Sequence, residues 1–237
     1  MDKKFRLKVR ITSYDVGMNR RLKPSSILRI IQEVACRHLE QDGLSYEYMR
    51  SKGIVFLLVK ECVKINSYPR CDDIITAETW FHGYEGVAFV RCVRLLSEEG
   101  EPLIEAQTNW VTANPDTHRI IRPSMFPFPM PEANEWAVDV KPRRIVMPKD
   151  AEMAGIREVR FSDIDCNSHM NNTVYADIMC DYFPGSLSER ELKEFQIEYS
   201  NEALLGDKIT IFTAASEDGY LFEGKVGSKK CFAAFAR

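Results

Sequence analysis

The chain has no CxxC pair, no even set of cysteines and no long apolar run. Its seven cysteines (36, 62, 71, 92, 166, 180 and 231) are scattered. That pattern excludes a disulfide framework and a zinc ribbon, and it suits a reducing compartment. No stretch approaches the ~20 apolar residues of a membrane span. The opening MDKKFRLKVR lacks the apolar core of a signal peptide, so a cytoplasmic location is expected. Positive charge is not in excess: the net charge of −3 argues against general nucleic-acid binding. Histidine is scarce, with four in 237 residues, and His169 is the only one in the second half. Small basic clusters (Arg20, Arg21 and Lys23; Lys141, Arg143 and Arg144) read as solvated loops, with a dock for an acidic partner as the alternative.

What remains is 45% hydrophobic and 28% charged, the composition of a globular chain with a real core, long enough for one large domain or two small ones. FRLKVRIT (5–12) alternates apolar and basic residues as a half-buried strand does. PSSILRIIQEVACRHLEQDG (24–43) carries Pro24 in a first turn, an apolar stripe at Ile27, Ile31, Val34 and Leu39, and Gly43 as a stop. β-like runs follow at 53–65, 73–81, 86–96 and 102–114, separated by turn signals such as SEEGEP and NPDT.

The order repeats after residue 150. REVRF (157–161) reads as a strand and NTVYADIMCDYFPG (172–185) as a helix capped by Asn172, with further strands at 194–200, 207–215, 220–226 and 231–237. VRITSYDVGMN (9–19) aligns with VRFSDIDCNSH (159–169) at an offset of 150, pairing Asp15 with Asp165. A period this long indicates two fused domains. Between them lies a proline-rich stretch that can hold neither a regular helix nor a central strand; Phe126, Phe128 and Trp136 are its expected anchors. Two copies of helix plus antiparallel sheet give an α+β class.

The run SDIDCNSHMNN (162–172) is too polar for a packed strand or helix. In the offset-150 alignment the second copy has an Asn and a His that the first lacks, which favours one active half and one degenerate half. Asp163, Asp165 and His169 could hold a divalent ion, but no second imidazole is at ligand spacing, and the Gly and late Glu of a calcium loop are missing; no metal and no cofactor are expected. Cys166 reads as a small buried side chain rather than a nucleophile. General acid–base work fits better: a lone His with nearby carboxylates can move a proton to or from water. If extended, the run would put Asp163, Asp165, Asn167 and His169 on one side, and the helix start would aim N–H donors at that spot. A purely structural turn remains the alternative.

DIDCNSHMNNTVYADIMCDYFP resembles a segment of the acyl-ACP thioesterases, the family that releases fatty acids from acyl carrier protein. The pattern DxNxHxNNxxY falls on Asp165, Asn167, His169, Asn171, Asn172 and Tyr175. IEYSNEA (197–203), NSYPRCDDIITAETW (66–80) and TNWVTANPDTHRIIRP (108–123) are similar to further blocks of that family, in the expected order. The resemblance implies a double hotdog fold: an N-terminal hotdog domain (1–125), a proline-rich linker (126–150) and a C-terminal hotdog domain (151–237) carrying the catalytic residues. It also implies catalytic roles for Asp165, Asn167, His169 and Glu202. Ala203 stands where the plant pattern has Cys, so a Cys–His–Asn mechanism cannot run there and an activated water is expected instead.

The implied partner is acyl carrier protein bearing an acyl thioester, with Lys141/Arg143/Arg144 and Arg119/Arg122 as docking candidates. Neither nucleic acid nor a membrane is expected, and a homodimer is left open. Ile27, Ile30, Ile31 and Val34 are read as core, with an acyl-tunnel wall as the alternative. An acyl-CoA thioesterase, a hotdog dehydratase and a non-catalytic acyl-thioester-binding protein are the competing functions.

Overall fold

The computed structural model describes residues 4–130, 132–134, 137–140, 142–185, 187 and 190–237. The first half contains β1 (Phe5–Arg10), α1 (Pro24–Gln41), α2 (Tyr46–Ser51), β2 (Val55–Ile65), β3 (Ile74–Glu85), β4 (Ala88–Leu96), β5 (Pro102–Ala113) and the two-residue β6 (Ile120–Ile121). The second contains β7 (Glu152–Glu158), α3 (Val174–Asp181), β8 (Glu194–Tyr199), β9 (Lys208–Ala215), β10 (Tyr220–Val226) and β11 (Lys229–Ala236).

All pairings are antiparallel, in the order β1-β3-β4-β5-β2-β8-β11-β10-β9-β7, with β6 added to β5. Each half has the same strand order, and the two sheets become one through β2 and β8. Their register sets Cys62 opposite Gln196, Glu61 opposite Ile197 and Val63 opposite Phe195. The last two pairs exchange under a shift of 134, so a pseudo-twofold axis passes by the Cys62–Gln196 pair. This is the paired arrangement expected of a double hotdog.

The helices lie on one face of the sheet. Ile27, Ile31 and Val34 of α1 share a core with Val63, Val93, Phe195 and Phe232 and with Ile178 and Met179 of α3. Ile27, Ile30, Ile31 and Val34 belong to this core and are not among the residues that line the cavity of about 800 Å³ described below. The proline-rich segment covers part of the opposite face. Val138 and Val140 pack on Cys62, Trp80 and Cys92, and Ile145 packs on Ala233 and Phe235. Phe126 stacks against Phe56 and Phe89, and Phe128 against Tyr48. Trp136, the third expected anchor, and Lys141 lie outside the described residues.

Three local expectations change. The second helix is shorter than 172–185, and its entry is held by Asn171 rather than Asn172: Asn171 Oδ1 accepts from Thr173 N (2.9 Å) and Thr173 Oγ1 (2.8 Å). The short α2, capped by Ser45 Oγ accepting from Tyr48 N, was not anticipated. Phe161 is not in a strand; it opens a 3-10 turn (Phe161–Asp163) and is exposed.

Candidate active site

Residues 163–171 fold into a tight loop rather than an extended strand end. Asp165 N donates to His169 O (3.1 Å), Ser168 N donates to Asp165 O (3.0 Å), and Ile164 bridges Met170. Ser168 sits at φ 67°, the left-handed conformation that lets the chain reverse here. Asp163 does not join the other polar groups. It is buried, takes Arg157 in a two-pronged pair (2.9 and 3.0 Å) and accepts from Arg160 N (2.8 Å), which makes it the anchor of the turn.

The same loop exists in the first half, and its hydrogen bonds fix the true alignment. Gly17 N donates to Arg21 O, Arg20 N to Gly17 O and Lys23 N to Asp15 O, with Val16 bridging Leu22 and Arg20 at φ 60°. These match the second-half contacts at an offset of 148, not 150. Asp15 is therefore the counterpart of Asp163, and Asn19 of Asn167. The Asn is not new in the second half; what is new is Asp165 in place of Gly17 and His169 in place of Arg21. Likewise Leu22 N donates to Pro69 O as Met170 N donates to Ala203 O, so Glu202 occupies the place of Tyr68.

The second-half loop gathers Asp165, Asn167, His169 and Glu202. His169 Nδ1 is 3.9 Å from Asp165 Oδ1, and Nε2 is 3.9 Å from Glu202 Oε1. These separations are longer than hydrogen bonds. The side chains of His169 and Asp165 are 20% and 19% exposed, that of Glu202 53%. Asp165 is oriented by donors from its own loop, Asn167 N (2.8 Å) and Asn171 Nδ2 (3.3 Å). The bond from Met170 N to Ala203 O (2.8 Å) ties the His169 loop to the segment bearing Glu202.

Sequence reasoning missed a contribution from the first half: Tyr46 of α2 donates its hydroxyl to Asn167 Oδ1 (2.5 Å), and Arg50 backs Tyr46 at 3.3 Å. With Oδ1 engaged, the Asn167 amide N–H₂ is left as the donor. No local signal links residues 121 apart; the only hint was Ser45, a good N-cap residue. Cys166 is exposed rather than buried.

These residues open onto a cavity of about 800 Å³ that runs beneath β2 into the first half, with walls including Leu39, Leu57, Phe81, Phe89 and Trp110. Beyond the polar centre, Glu40, Glu47, Arg50 and Arg91 bring charge to this wall, and of these four only Arg91 is buried. Arg91 is buried and held by His38 Nδ1 (2.9 Å) and Thr79 Oγ1 (3.2 Å), and burial lowers its guanidinium to about 10. Of the basic clusters, Arg143 is consumed by Asp218 and Glu194 and lies over the Phe235 ring, and Arg21 pairs with Glu191. Arg119, Arg122 and Arg144 are exposed.

Two helix-bearing antiparallel sheets fused edge to edge, with one acid–base cluster at the mouth of a cavity, define a double-hotdog protein. The bacterial acyl-ACP thioesterase from Bacteroides thetaiotaomicron superposes with a TM-score of 0.89 over 99% of this chain and 97% of its own, at 20% identity. The 12:0-ACP thioesterase from Umbellularia californica gives 0.80 over 100% and 97%, also at 20% identity. Residues 2–124 match the family described as acyl-ACP thioesterase N-terminal domain, and residues 147–230 the acyl-ACP thioesterase C-terminal domain. The chain belongs to the acyl-ACP thioesterase family. It is 27% identical over 227 residues to oleoyl-acyl carrier protein thioesterase 2 of Arabidopsis thaliana, covering 86% of this chain and 61% of that protein. The chain thus spans about three fifths of that relative's length. Among the described residues, no helix is long and apolar enough to cross a membrane.

Proposed function

We propose that the protein hydrolyses the thioester of an acyl chain carried on acyl carrier protein, releasing a free fatty acid. One observation carries this reading: a histidine bracketed by two carboxylates, 3.9 Å from each ring nitrogen, at the mouth of a largely apolar cavity of about 800 Å³. The acyl chain lies in the cavity, placing the thioester carbonyl beside His169. The Met170 carbonyl, 3.4 Å from Nδ1, holds the Nδ1–H tautomer, and Asp165 stabilises the imidazolium that forms. His169 Nε2, with Glu202, orients a water and takes its proton. The resulting hydroxide attacks the carbonyl carbon, and Asn167 Nδ2–H donates to the oxyanion. Collapse breaks the C–S bond; the proton held by His169 passes to the departing thiolate, leaving free carrier thiol and the carboxylic acid, which gives its own proton to solvent.

The chain divides into hotdog domains at 1–125 and 151–237 joined by the 126–150 linker, a reading supported by the repeated strand order. Arg119 and Arg122 are exposed beside His118, which lines the cavity, and these two are the docking cations for an acidic carrier protein. Seven unpaired thiols support a reducing, cytoplasmic setting.

Turnover of matched acyl-ACP and acyl-CoA series by the wild type, His169→Ala and Asp165→Asn tests the reading. Loss of about 10²–10⁴ in kcat for each variant, with acyl-ACP preferred, is expected. Near-normal hydrolysis by His169→Ala would sink the mechanism, and preference for acyl-CoA would replace the carrier. Tight acyl binding without turnover would make the protein a sensor.

A further inference from the structure

A second polar group crosses the seam between the halves behind the catalytic loop. Glu61 on β2 is fully buried, and its carboxyl meets the hydroxyl of Tyr199 on β8, the diagonal neighbour across the β2–β8 ladder. The same hydroxyl lies 3.1 Å from the backbone carbonyl of Asn172, at the entry to α3. Asn172 follows Asn171, whose side chain caps that entry and donates to Asp165.

Counting protons decides how this chain runs. Tyr199 is buried and its phenol is pushed well above its usual range by that burial, so it carries one proton and faces two oxygens. If Glu61 were ionised, it would take that proton and leave the Asn172 carbonyl without its donor. If Glu61 is protonated, it donates to the Tyr199 oxygen, and Tyr199 donates to Asn172. Both contacts are then satisfied, as buried polar groups require.

The surroundings favour the protonated form. On β5, Thr108 stands opposite Glu61, and Arg91 of β4 is one strand further away. The adjacent Lys60 points to the other face, where it pairs with Glu198. From α3, Tyr175 meets the Tyr199 ring, and from α1, Cys36 and Glu40 line the neighbouring cavity. Among the described residues no cation pairs with Glu61, and burial pushes its carboxyl up to about 8. The pseudo-twofold axis adds an independent comparison. At the symmetry-related place across the seam, on the side of the first-half loop, the positions of Glu61 and Tyr199 are held by Phe195 and Ile65, both buried and apolar. The seam can therefore be built without this pair, which occurs only on the side of the candidate centre.

We infer that Glu61 is a positioning residue, which, as a neutral acid, directs the Tyr199 proton onto the Asn172 carbonyl and so fixes the Asn171–Asp165 arm of the catalytic loop. This rests on the hydrolase reading for its effect on rate, but the hydrogen-bond switch itself is measurable without turnover.

The test follows the ¹³C shift of the Asn172 carbonyl and the kcat profile between about pH 6.5 and about pH 9.5 in wild type, Glu61→Gln and Tyr199→Phe. In wild type, the carbonyl shift should move and kcat fall roughly 2- to 10-fold as Glu61 ionises, the worth of one hydrogen bond, with KM unchanged. Glu61→Gln keeps a donor to Tyr199, so both responses should flatten at the low-pH values. Tyr199→Phe should sit at the high-pH carbonyl shift and reduced kcat throughout. A carbonyl shift that titrates identically in Glu61→Gln, or that does not move in wild type, overturns the switch. A normal switch with unchanged wild-type and Tyr199→Phe rates overturns the positioning role. Failure of all three proteins to turn over any acyl thioester removes the hydrolase reading and leaves the switch to be decided by the carbonyl shift.

Discussion

Replacing Tyr46 with Phe removes one hydroxyl and nothing else. That hydroxyl donates to Asn167 Oδ1 across the two halves of the chain. A net hydrogen bond is worth about 0.5–1.5 kcal/mol. Tyr46 is 39% exposed, so water competes for the site and the lower part of that range, about 0.5–1 kcal/mol, applies. Converted to rate, this is a fall of about 2- to 5-fold in kcat. Asn167→Ala removes the oxyanion donor itself and should cost about 10²–10³. The two losses should not add: without Asn167 there is no carboxamide left to orient, so Tyr46→Phe should be silent in that background. The assay is single-turnover hydrolysis of one acyl-ACP by the four members of the cycle, with thermal melts showing unchanged stability. Equal loss from Tyr46→Phe with and without Asn167 would refute the orienting role, as would no loss in the wild-type background.

Asp163→Ala should act on stability instead, lowering it by roughly 2–3 kcal/mol by stranding Arg157 and the Arg160 N–H; a denaturant midpoint within error of wild type would refute the anchor role. Glu61→Gln should alter the pH dependence of stability. Between the usual carboxylate range and about 8, the native state keeps a proton that the unfolded chain has lost. Wild-type stability should therefore fall as pH rises through that window, by at most on the order of 1.4 kcal/mol per pH unit relative to the variant, and parallel urea titrations would show no divergence if Glu61 were ionised throughout. Leu39→Trp narrows the cavity wall and should shift released acids toward shorter chains in gas-chromatographic product profiles; an unchanged profile would place the acyl chain elsewhere.

The architecture was largely legible from sequence because periodicity reports burial. α1 declared itself through Ile27, Ile31 and Val34, which are core, and β1 through strict alternation. The central strands alternate poorly for a physical reason: helices cover one face and the proline-rich segment parts of the other, so Trp80 and Cys92 are as buried as Val93 and Ala106. The polar run was found as a site, but its internal geometry was not. Extended alternation placed Asp163 with the other acids, whereas the 3-10 turn sends it to Arg157. The offset of 150 matched letters, while the hydrogen bonds and the strand pairing obey 148: Arg10 faces Ile74 as Glu158 faces Lys208. Tyr46 and the Glu61–Tyr199 pair act through tertiary contacts, for which a single sequence has no local code.

Fusion of the two sheets has a stoichiometric consequence. Where the second half carries Asp165, His169 and Glu202, the first carries Gly17, Arg21 and Tyr68, and Tyr46 of the first half reaches only toward the second. The proposed hydrolysis therefore takes one acyl chain per polypeptide at a time, and a symmetric pair of identical halves could not be so unequal. In the proposed reaction the first half is released from chemistry to mould the tail, so substitutions that reshape the mould need not disturb the reacting groups, and each of the two surfaces can change without its mirror image changing with it.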